Sequence, residues 1–250
     1  MRNIFSTPKF PDASFLYRDH LGQLYENTVH QAAYHPYAEE LNLLKYHQTQ
    51  LQSYLKKSIT DVGCGDGAKD VALLGKHPPQ GLTCYLADYS AKMLELADEN
   101  IREQCPGVHM GNHQLLRDGS AYLTQSLEEN TYLRLGGTIG NFSDWEILDF
   151  FKQMDNNGIL QGNQILFSYF SAPSEEEIPL VESWYRTDTA EQRFMAGAEA
   201  LGLSRDDFEF EVRYIYDSSH FVVENGIKKY PGQIQNGLRA KRDVDIPLDD

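Results

Sequence analysis

The sequence predicts an α/β protein in which a mostly parallel sheet carries helices on both faces. Apolar strand-like runs alternate with helix-like runs from residue 58 onward, which is the pattern of parallel strands joined by crossover helices. The glycine-rich segment DVGCGDG stands where the first strand passes into the first of these helices. The end of the chain alternates apolar and polar residues around an Asn-Gly turn, which predicts an antiparallel hairpin.

Residues 1–57 are expected to form a helical cap that contributes to the substrate site. Within them, YAEELNLLKYHQTQLQSYL places apolar residues at helical spacing from Tyr37 to Leu55. The strands SITDV and GLTCYLAD follow, each continued by a helix, AKDVALLGK and SAKMLELADENIREQ. Ser90 is the expected N-cap of the second helix, because its hydroxyl can accept a hydrogen bond from a free backbone amide. Residues 58–235 are expected to form the main domain.

The second half of the chain supplies the remaining elements. YLRLGGTIGNF predicts a strand and SDWEILDFFKQM a helix, in which Ser143 and Glu146 have the spacing of a capping box. NQILFSYF predicts a further strand, and one helix is expected from Pro179 to Gly202. FEFEVRYIY, HFVV and IKKY are expected as antiparallel strands, and residues 236–250 as a loose tail.

Composition and charge restrict the classes of partner. Acidic residues outnumber basic ones by 37 to 22, for a formal net charge of −15. This charge repels phosphate backbones, so nucleic acid is not an expected partner, whereas a basic protein surface would be attracted. No run approaches the roughly 20 apolar residues of a membrane span, and the N-terminus has no signal-peptide core. We therefore expect a cytoplasmic protein without membrane contact.

The cysteines and histidines do not indicate a metal centre. None of the eight histidines falls in a metal-ligand spacing, and no metal site is expected. The cysteines are odd in number, Cys64, Cys84 and Cys105, which fits a reducing compartment. Cys64 lies inside the glycine-rich segment, where a small residue suffices, and no nucleophilic role is expected for it.

The glycine-rich segment and the end of the second strand predict a nucleotide-like ligand. Gly63, Gly65 and Gly67 let the backbone approach a ligand, and the next helix offers free amides. Asp88 ends the following strand, where a carboxylate can accept hydrogen bonds from ribose hydroxyls. With Asp61 before the glycines, the pattern resembles motif I of class I S-adenosylmethionine (SAM) methyltransferases, which implies a Rossmann-like fold with a seven-stranded type of sheet. An NAD-dependent oxidoreductase is the alternative, although the glycine spacing differs from its fingerprint.

A narrower resemblance begins with LGGTIGNF. This segment resembles the LGSTIGNF-type signature of the histidine-specific Nα-methyltransferase family. That family includes the first enzyme of ergothioneine biosynthesis and the fungal dimethylallyltryptophan N-methyltransferase. Similar segments follow in the family's order from Tyr34 to Val223, namely YHPYAEELNLL, DVGCGDGAK, ADYSAKML, VESWYRTDTAEQRF and DDFEFEVRYIYDSSHFVV.

The resemblance implies SAM as cofactor and S-adenosyl-L-homocysteine (SAH) as product. Gly63, Gly65 and Asp88 are assigned to SAM, and Asp61 shapes the loop. The other cofactor-binding candidates are Lys69 at the place of the family's lysine, Tyr89, Gly136, and Asn112 in the GNH segment that is expected to reach the adenine.

The resemblance also implies residues for the substrate. In the family, the asparagine of the Gly-Asn pair holds the amino and carboxylate groups of the substrate, which here implies Asn141. Its amide is both a donor and an acceptor, and the alternative is a helix cap. Tyr185 and Tyr34 are the other candidates for this end. His220 is a candidate for substrate contact or for accepting a proton, with a purely structural role as its alternative.

The chain departs from the family where the family recognises imidazole. His220 falls near the family's glutamate in the late hairpin, Phe170 falls near its aspartate, and Tyr34-His35 replaces its double tyrosine. We therefore predict a methyltransferase that N-methylates an amino acid or a related small amine. A neutral nitrogen would attack the methyl group in line, so catalysis would consist chiefly of positioning. The alternatives are a non-catalytic SAM-binding partner subunit and an enzyme acting on a peptide or another protein.

Overall fold

The computed structural model describes residues 24, 27, 28, 30, 31, 34–116, 128–136 and 144–241. The chain divides into two compact units, Pro36–Tyr169 and Met1–His35 together with Phe170–Asp250. The predicted candidates Asn141, Ser143 and the segment TIGN lie outside the described residues.

The first unit contains a parallel sheet with helices packed on it. Its strands run in the order β3-β2-β1-β5-β6, with β4 also paired to β2, and every pairing is parallel. The elements are α1 His35–Tyr46, α2 Gln48–Gln52, β1 Ser58–Val62, α3 Ala68–Leu74, β2 Thr83–Asp88, α4 Ala91–Gln104, β3 His109–Met110, β4 Gln114–Leu115, β5 Asn130–Arg134, α5 Asp144–Asn156 and β6 Gln164–Phe167.

The core of this unit explains why β1 and β5 form its centre. All residues of both strands are buried, and a strand between two neighbours needs no polar face. Helix α4 contributes Leu94, Ala97 and Ile101, whose spacing puts them on one side of the helix and in the same cluster as Ile59 and Leu133. A fully buried leucine or isoleucine side chain contributes about 1.5–3 kcal/mol to folding.

A polar network crosses the two central strands. The side chain of Asn130 on β5 accepts a hydrogen bond from Ser58 Oγ at 2.8 Å and donates one to Thr60 Oγ1 at 2.9 Å. Its backbone amide donates to Asn163 Oδ1 at 2.7 Å. These bonds satisfy a fully buried amide and fix the register of β1 against β5.

The second unit combines helices with antiparallel strand pairs. It contains α6 Ile178–Tyr185, α7 Asp188–Ala200, a 3₁₀ turn at Arg205–Asp207, and the strands β7 Phe208–Tyr216, β8 Val222–Glu224, β9 Ile227–Lys229 and β10 Gly232–Ala240. β7 pairs with β10 and β8 with β9. Asn225 and Gly226 turn the β8-β9 hairpin with φ angles of 52° and 80°, as two-residue hairpin turns require.

The α/β class, the parallel sheet and the antiparallel C-terminal hairpin are therefore confirmed. The prediction of a single helix from Pro179 to Gly202 is wrong, because Arg186 and Thr187 are not helical and separate two helices. Thr187 adopts an extended conformation, and its Oγ1 accepts a hydrogen bond from the Ala190 amide at 3.1 Å, which starts a new helix.

Two further observations concern the expected tail and the expected absence of membrane contact. Residues 236–240, placed in the expected tail, pair with β7 as part of β10. Among the helices of the described residues, none combines the length and apolar character needed to cross a bilayer.

Candidate cofactor and substrate sites

The glycine loop after β1 presents bare backbone at the carboxyl edge of the sheet. Gly63, Gly65 and Gly67 have φ angles of 88°, 55° and 76°, a region that favours glycine. The Gly63 amide donates to the Ala87 carbonyl at 2.7 Å, which ties the loop to the end of β2. A Cβ on Gly67 would stand 2.9 Å from Ala97 Cα, so this glycine serves the packing of α3 on α4. Gly63 is exposed and Gly65 half-buried, which leaves these two within reach of a ligand.

Asp88 joins this loop to the end of β2. Its Oδ2 accepts a hydrogen bond from the Gly65 amide at 3.0 Å, and its Oδ1 accepts one from the Ser90 amide at 2.9 Å. Burial raises the pKa of the Asp88 carboxyl, and the backbone amides of Ser90 and Gly65 oppose this rise. Each carboxylate oxygen has a further lone pair, so the pair of ribose hydroxyls predicted for this residue can still be accepted.

Asn112 and Tyr89 lie beside the same strand end. The Gly111 amide donates to the Cys84 carbonyl at 2.8 Å, and the Leu116 amide donates to the Asp88 carbonyl at 2.8 Å. The segment carrying Asn112 therefore runs alongside β2 toward Asp88, and Asn112 itself is exposed. Tyr89 is half-buried against the cluster that includes Leu116.

Two buried carboxyls lie behind the glycine loop. Asp61 at the end of β1 and Asp70 in the first turn of α3 are 1% and 0% exposed. Within the described residues, Oδ1 of Asp61 and both oxygens of Asp70 have no conventional hydrogen-bond donor. Burial raises the pKa of Asp61 to about 6, and burial together with the Asp61 charge raises the pKa of Asp70 well above its usual range. Burial and the neighbouring charge thus both favour the protonated form of Asp70.

Sequence reasoning missed Asp70 and another buried acid, Glu40. Glu40 lies on α1, is 5% exposed, and contacts both Lys69 and Gly136, two of the predicted cofactor residues. The signal was available, because Pro36, Glu40 and Leu44 follow one another at intervals of four residues and form the buried face of the helix. An acid in such a stripe needs compensation by donors from elsewhere.

Of the predicted substrate residues in the second unit, Tyr34 and Tyr185 are in contact, and His220 contacts Asp217 instead. The rings of Tyr34 and Tyr185 pack edge to face, with centroids 5.3 Å apart and planes at 82°. His220 lies in the turn between β7 and β8, its side chain is 82% exposed, and its Nδ1 is 2.8 Å from Asp217 Oδ2. Hydrogen bonds from Ser219 and His220 lower the pKa of Asp217 to about 2.

The eight cofactor candidates and the three described substrate candidates belong to different units. The cofactor candidates all fall within Pro36–Tyr169, whereas Tyr34, Tyr185 and His220 fall in the other unit. In the part of the chain that the structure describes, no three histidine, cysteine or acidic side chains are grouped as metal ligands would be.

Comparison with known structures finds methyltransferases at low identity. The plantazolicin methyltransferase BpumL in complex with SAH aligns at 13% identity and a TM-score of 0.45, covering 81% of this chain and 77% of its own. Magnesium protoporphyrin IX methyltransferase from Synechocystis PCC 6803 with bound SAM aligns at 12% identity and a TM-score of 0.45, covering 90% and 94%. Among curated protein sequences, none is significantly similar to the chain.

A family model gives the decisive match. Its description is "Histidine-specific methyltransferase, SAM-dependent", and it covers residues 2–250, nearly the whole chain. SAM is therefore the cofactor, as the glycine loop and Asp88 led us to expect, and the predicted resemblance is confirmed. The chain belongs to the SAM-dependent, histidine-specific methyltransferase family.

Proposed function

We propose that the protein transfers the methyl group of SAM to the amino nitrogen of a free amino acid or a related small amine. The observation that carries this proposal is the family match over residues 2–250, because that family is described by an amino-acid substrate. The acceptor nitrogen forms a bond to the methyl carbon while the carbon–sulfur bond breaks. SAH leaves, and the nitrogen gives up one proton.

The glycine loop and Asp88 support the cofactor half of the proposal. SAM supplies a methyl group that its sulfonium already activates, so the protein has chiefly to hold and orient the reactants. Gly63 and Gly65 offer accessible backbone, and the carboxylate of Asp88 is fixed at the end of β2 by two backbone amides. We assign Asp61 to the shape of the loop, and Asn112 and Tyr89 to the adenosine end.

The Tyr34–Tyr185 pair supports the substrate half. The edge-to-face contact brings together two side chains that are far apart in sequence and that were both predicted to meet the amino-acid end of the substrate. Paired aromatic rings hold each other in position, which suits groups that must orient a small zwitterion. We assign Asn141 to the same end of the substrate, on the strength of the family signature alone.

His220 is our candidate for proton acceptance. In neutral imidazole one ring nitrogen carries a proton and the other accepts one. The contact of Nδ1 with the Asp217 carboxylate favours a proton on Nδ1, because a carboxylate accepts hydrogen bonds and does not donate them. Nε2 is then the basic nitrogen and is available to take the proton that the substrate amine loses.

The test is a panel of free amino acids and small amines incubated with the protein and SAM. SAH release and a mass gain of one or more methyl groups on the acceptor are the readouts, and histidine, tryptophan and small amines belong in the panel. Turnover of a free amino acid supports the proposal. SAH binding without turnover of any panel member contradicts it and favours a peptide substrate or a non-catalytic binding protein.

Variants separate the substrate residues from general effects. Tyr185→Phe and Asn141→Ala should lower kcat/KM at least about tenfold, since each removes hydrogen-bonding capacity toward a charged substrate group. Tyr46→Phe is the matched control, because Tyr46 is 85% exposed. Equal activity of Tyr185→Phe and Tyr46→Phe would remove Tyr185 from the site.

A further inference from the structure

Glu40 is a carboxylate buried where a helix would ordinarily present an apolar residue. It is 5% exposed and lies on α1 between Pro36 and Leu44, the other two buried residues of that helix. A buried charge of this kind is costly unless it is paired and hydrogen-bonded. The groups that pair with Glu40 therefore indicate the role of its charge.

Those partners come from three separate segments. Glu40 Oε1 accepts hydrogen bonds from the Gly136 amide at 2.7 Å and from Ser168 Oγ at 2.5 Å. Glu40 Oε2 lies 3.4 Å from Lys69 Nζ. The Lys69 side chain is 18% exposed against 5% for Glu40, so the ammonium group is the more accessible member of the pair. Lys69 Nζ also lies 5.4 Å from the centre of the Tyr37 ring.

The sheet order shows that these contacts lie along the same edge of the sheet. Lys69 is in the helix after β1, Gly136 follows β5, and Ser168 follows β6, and these three strands are consecutive neighbours in the sheet. Glu40 thus contacts the segments that follow the carboxyl ends of β1, β5 and β6. Asp88, assigned to the ribose, ends β2 on the other side of β1. A ligand that begins at Asp88 and crosses the glycine loop arrives at Lys69 and Gly136.

The part of SAM that arrives there is its methionyl end, which carries a carboxylate and an ammonium group. We propose that Glu40 is a positioning residue for this end of the cofactor. Its charge holds the Lys69 ammonium in place to meet the methionyl carboxylate, and its Oε1 fixes Gly136 at the same edge. The inference rests on the assignment of Lys69 and Gly136 to SAM, and it adds a residue of α1 to the cofactor site.

The substitution Glu40→Gln isolates the role of the charge. The glutamine oxygen can still accept from Gly136 and Ser168, but its amino group then faces Lys69, and two donors repel. Glu39→Gln is the matched control, because Glu39 is the neighbouring residue on α1 and is exposed. The two variants carry the same change in net charge.

The ligands are SAH and 5′-methylthioadenosine, with binding measured by titration calorimetry. Methylthioadenosine keeps the adenosine and the sulfur but lacks the methionyl carboxylate and ammonium groups. Glu40→Gln should weaken SAH binding about tenfold or more, in line with loss of a charge-assisted contact, and leave methylthioadenosine binding within about twofold. Glu39→Gln should change neither. Lys69→Met should reproduce the selective loss of SAH binding.

Other outcomes overturn the proposal. Equal weakening of both ligands by Glu40→Gln would mean that Glu40 only supports the fold, and no weakening of either would mean that its charge is irrelevant to the cofactor. Where Glu40→Gln does not fold, Lys69→Met decides, and a loss that is equal for the two ligands again overturns it. The assay requires no methyl acceptor, so failure of the amino-acid substrate proposal is separate from failure of this one.

Discussion

The carboxylate of Asp88 accepts a hydrogen bond from the Gly65 amide at 3.0 Å, so one buried side chain fastens the glycine loop after β1 to the end of β2. The same carboxylate accepts the Ser90 amide at 2.9 Å and thereby also holds the start of α4. Loop, strand end and helix start are consequently fixed relative to one another before any ligand binds. This preorganisation is what a site needs if binding is not to be weakened by ordering the loop.

Replacing Asp88 with Asn should weaken SAH binding about tenfold to a hundredfold. The amide keeps one acceptor oxygen, but its amino group then faces either the Gly65 or the Ser90 amide, and it offers the ribose no charged acceptor. Titration calorimetry with SAH measures the change. Asp155→Asn is the control, since Asp155 is exposed on α5. Unchanged affinity in the Asp88 variant would remove it from the cofactor site.

Gly67→Ala should lower the stability of the protein more than Gly81→Ala. Both glycines have left-handed φ angles, 76° and 75°, so both variants carry a similar backbone strain of about 1–2 kcal/mol. Only Gly67 also has a backbone atom, Ala97 Cα, 2.9 Å from the new Cβ, whereas nothing lies within 4 Å at Gly81. The additional overpacking cost is about 1–3 kcal/mol. Urea denaturation measures both, and equal losses would mean that the loop moves freely away from α4.

Asn130→Ala should lower the free energy of unfolding by about 2–4 kcal/mol. The substitution leaves Ser58 Oγ and Thr60 Oγ1 without their amide partner in the buried centre of the sheet. Asn157→Ala, at an exposed position, is the control. A loss below about 1 kcal/mol in the Asn130 variant would indicate that water or a rotated hydroxyl replaces the network.

Asp70→Asn should become more stable relative to the wild type as pH rises from about 4.5 to 7. Burial raises the pKa of Asp61 to about 6 and also raises that of Asp70, so the folded wild type releases protons from this pair at higher pH than the unfolded chain does. The raised pKa values favour the folded state at low pH, and this contribution falls as pH rises through them.

The expected difference between variant and wild type is up to about 1.4 kcal/mol per pH unit for each retained proton. Asparagine has nearly the shape of aspartic acid but does not ionise, so the variant has one titrating group fewer in the buried pair. Urea denaturation at pH 4.5 and pH 7 supplies the two free energies, with Asp155→Asn as the exposed control. A difference that does not change with pH would show that the two carboxyls titrate normally.

Local patterns predicted most of the fold. The β-α-β alternation, the N-cap at Ser90 and the turn at Asn225-Gly226 depend on residues close together in sequence, and the structure confirms them. The break at Arg186 and Thr187 was missed, although TDTAE carries a capping residue with acids after it and RTDTAEQR interrupts the apolar spacing. The extent of β10 was missed because its pairing with β7 is a non-local contact.

The candidate site was predictable only where one motif carries it. Gly63, Gly65 and Asp88 could be identified from the glycine spacing and the end of one strand. The Asp61–Asp70 pair and the Glu40–Lys69 contact join residues of different elements, and only the folded chain shows that they meet. Asp70 carries no local signal of its burial, which is set by tertiary packing, whereas the spacing of Glu40 with Pro36 and Leu44 does indicate a buried position.

Cys64 places a buried thiol inside the glycine loop, and its reactivity reports on the exposure of that loop. The thiol is 6% exposed, and burial raises its pKa well above the ordinary value, which disfavours the reactive thiolate. Cys84 and Cys105 are buried in the core and react only when β2 or α4 comes apart. Labelling of Cys64 by a thiol reagent in the native protein therefore requires the thiol to become exposed, and we expect saturating SAH to slow that labelling.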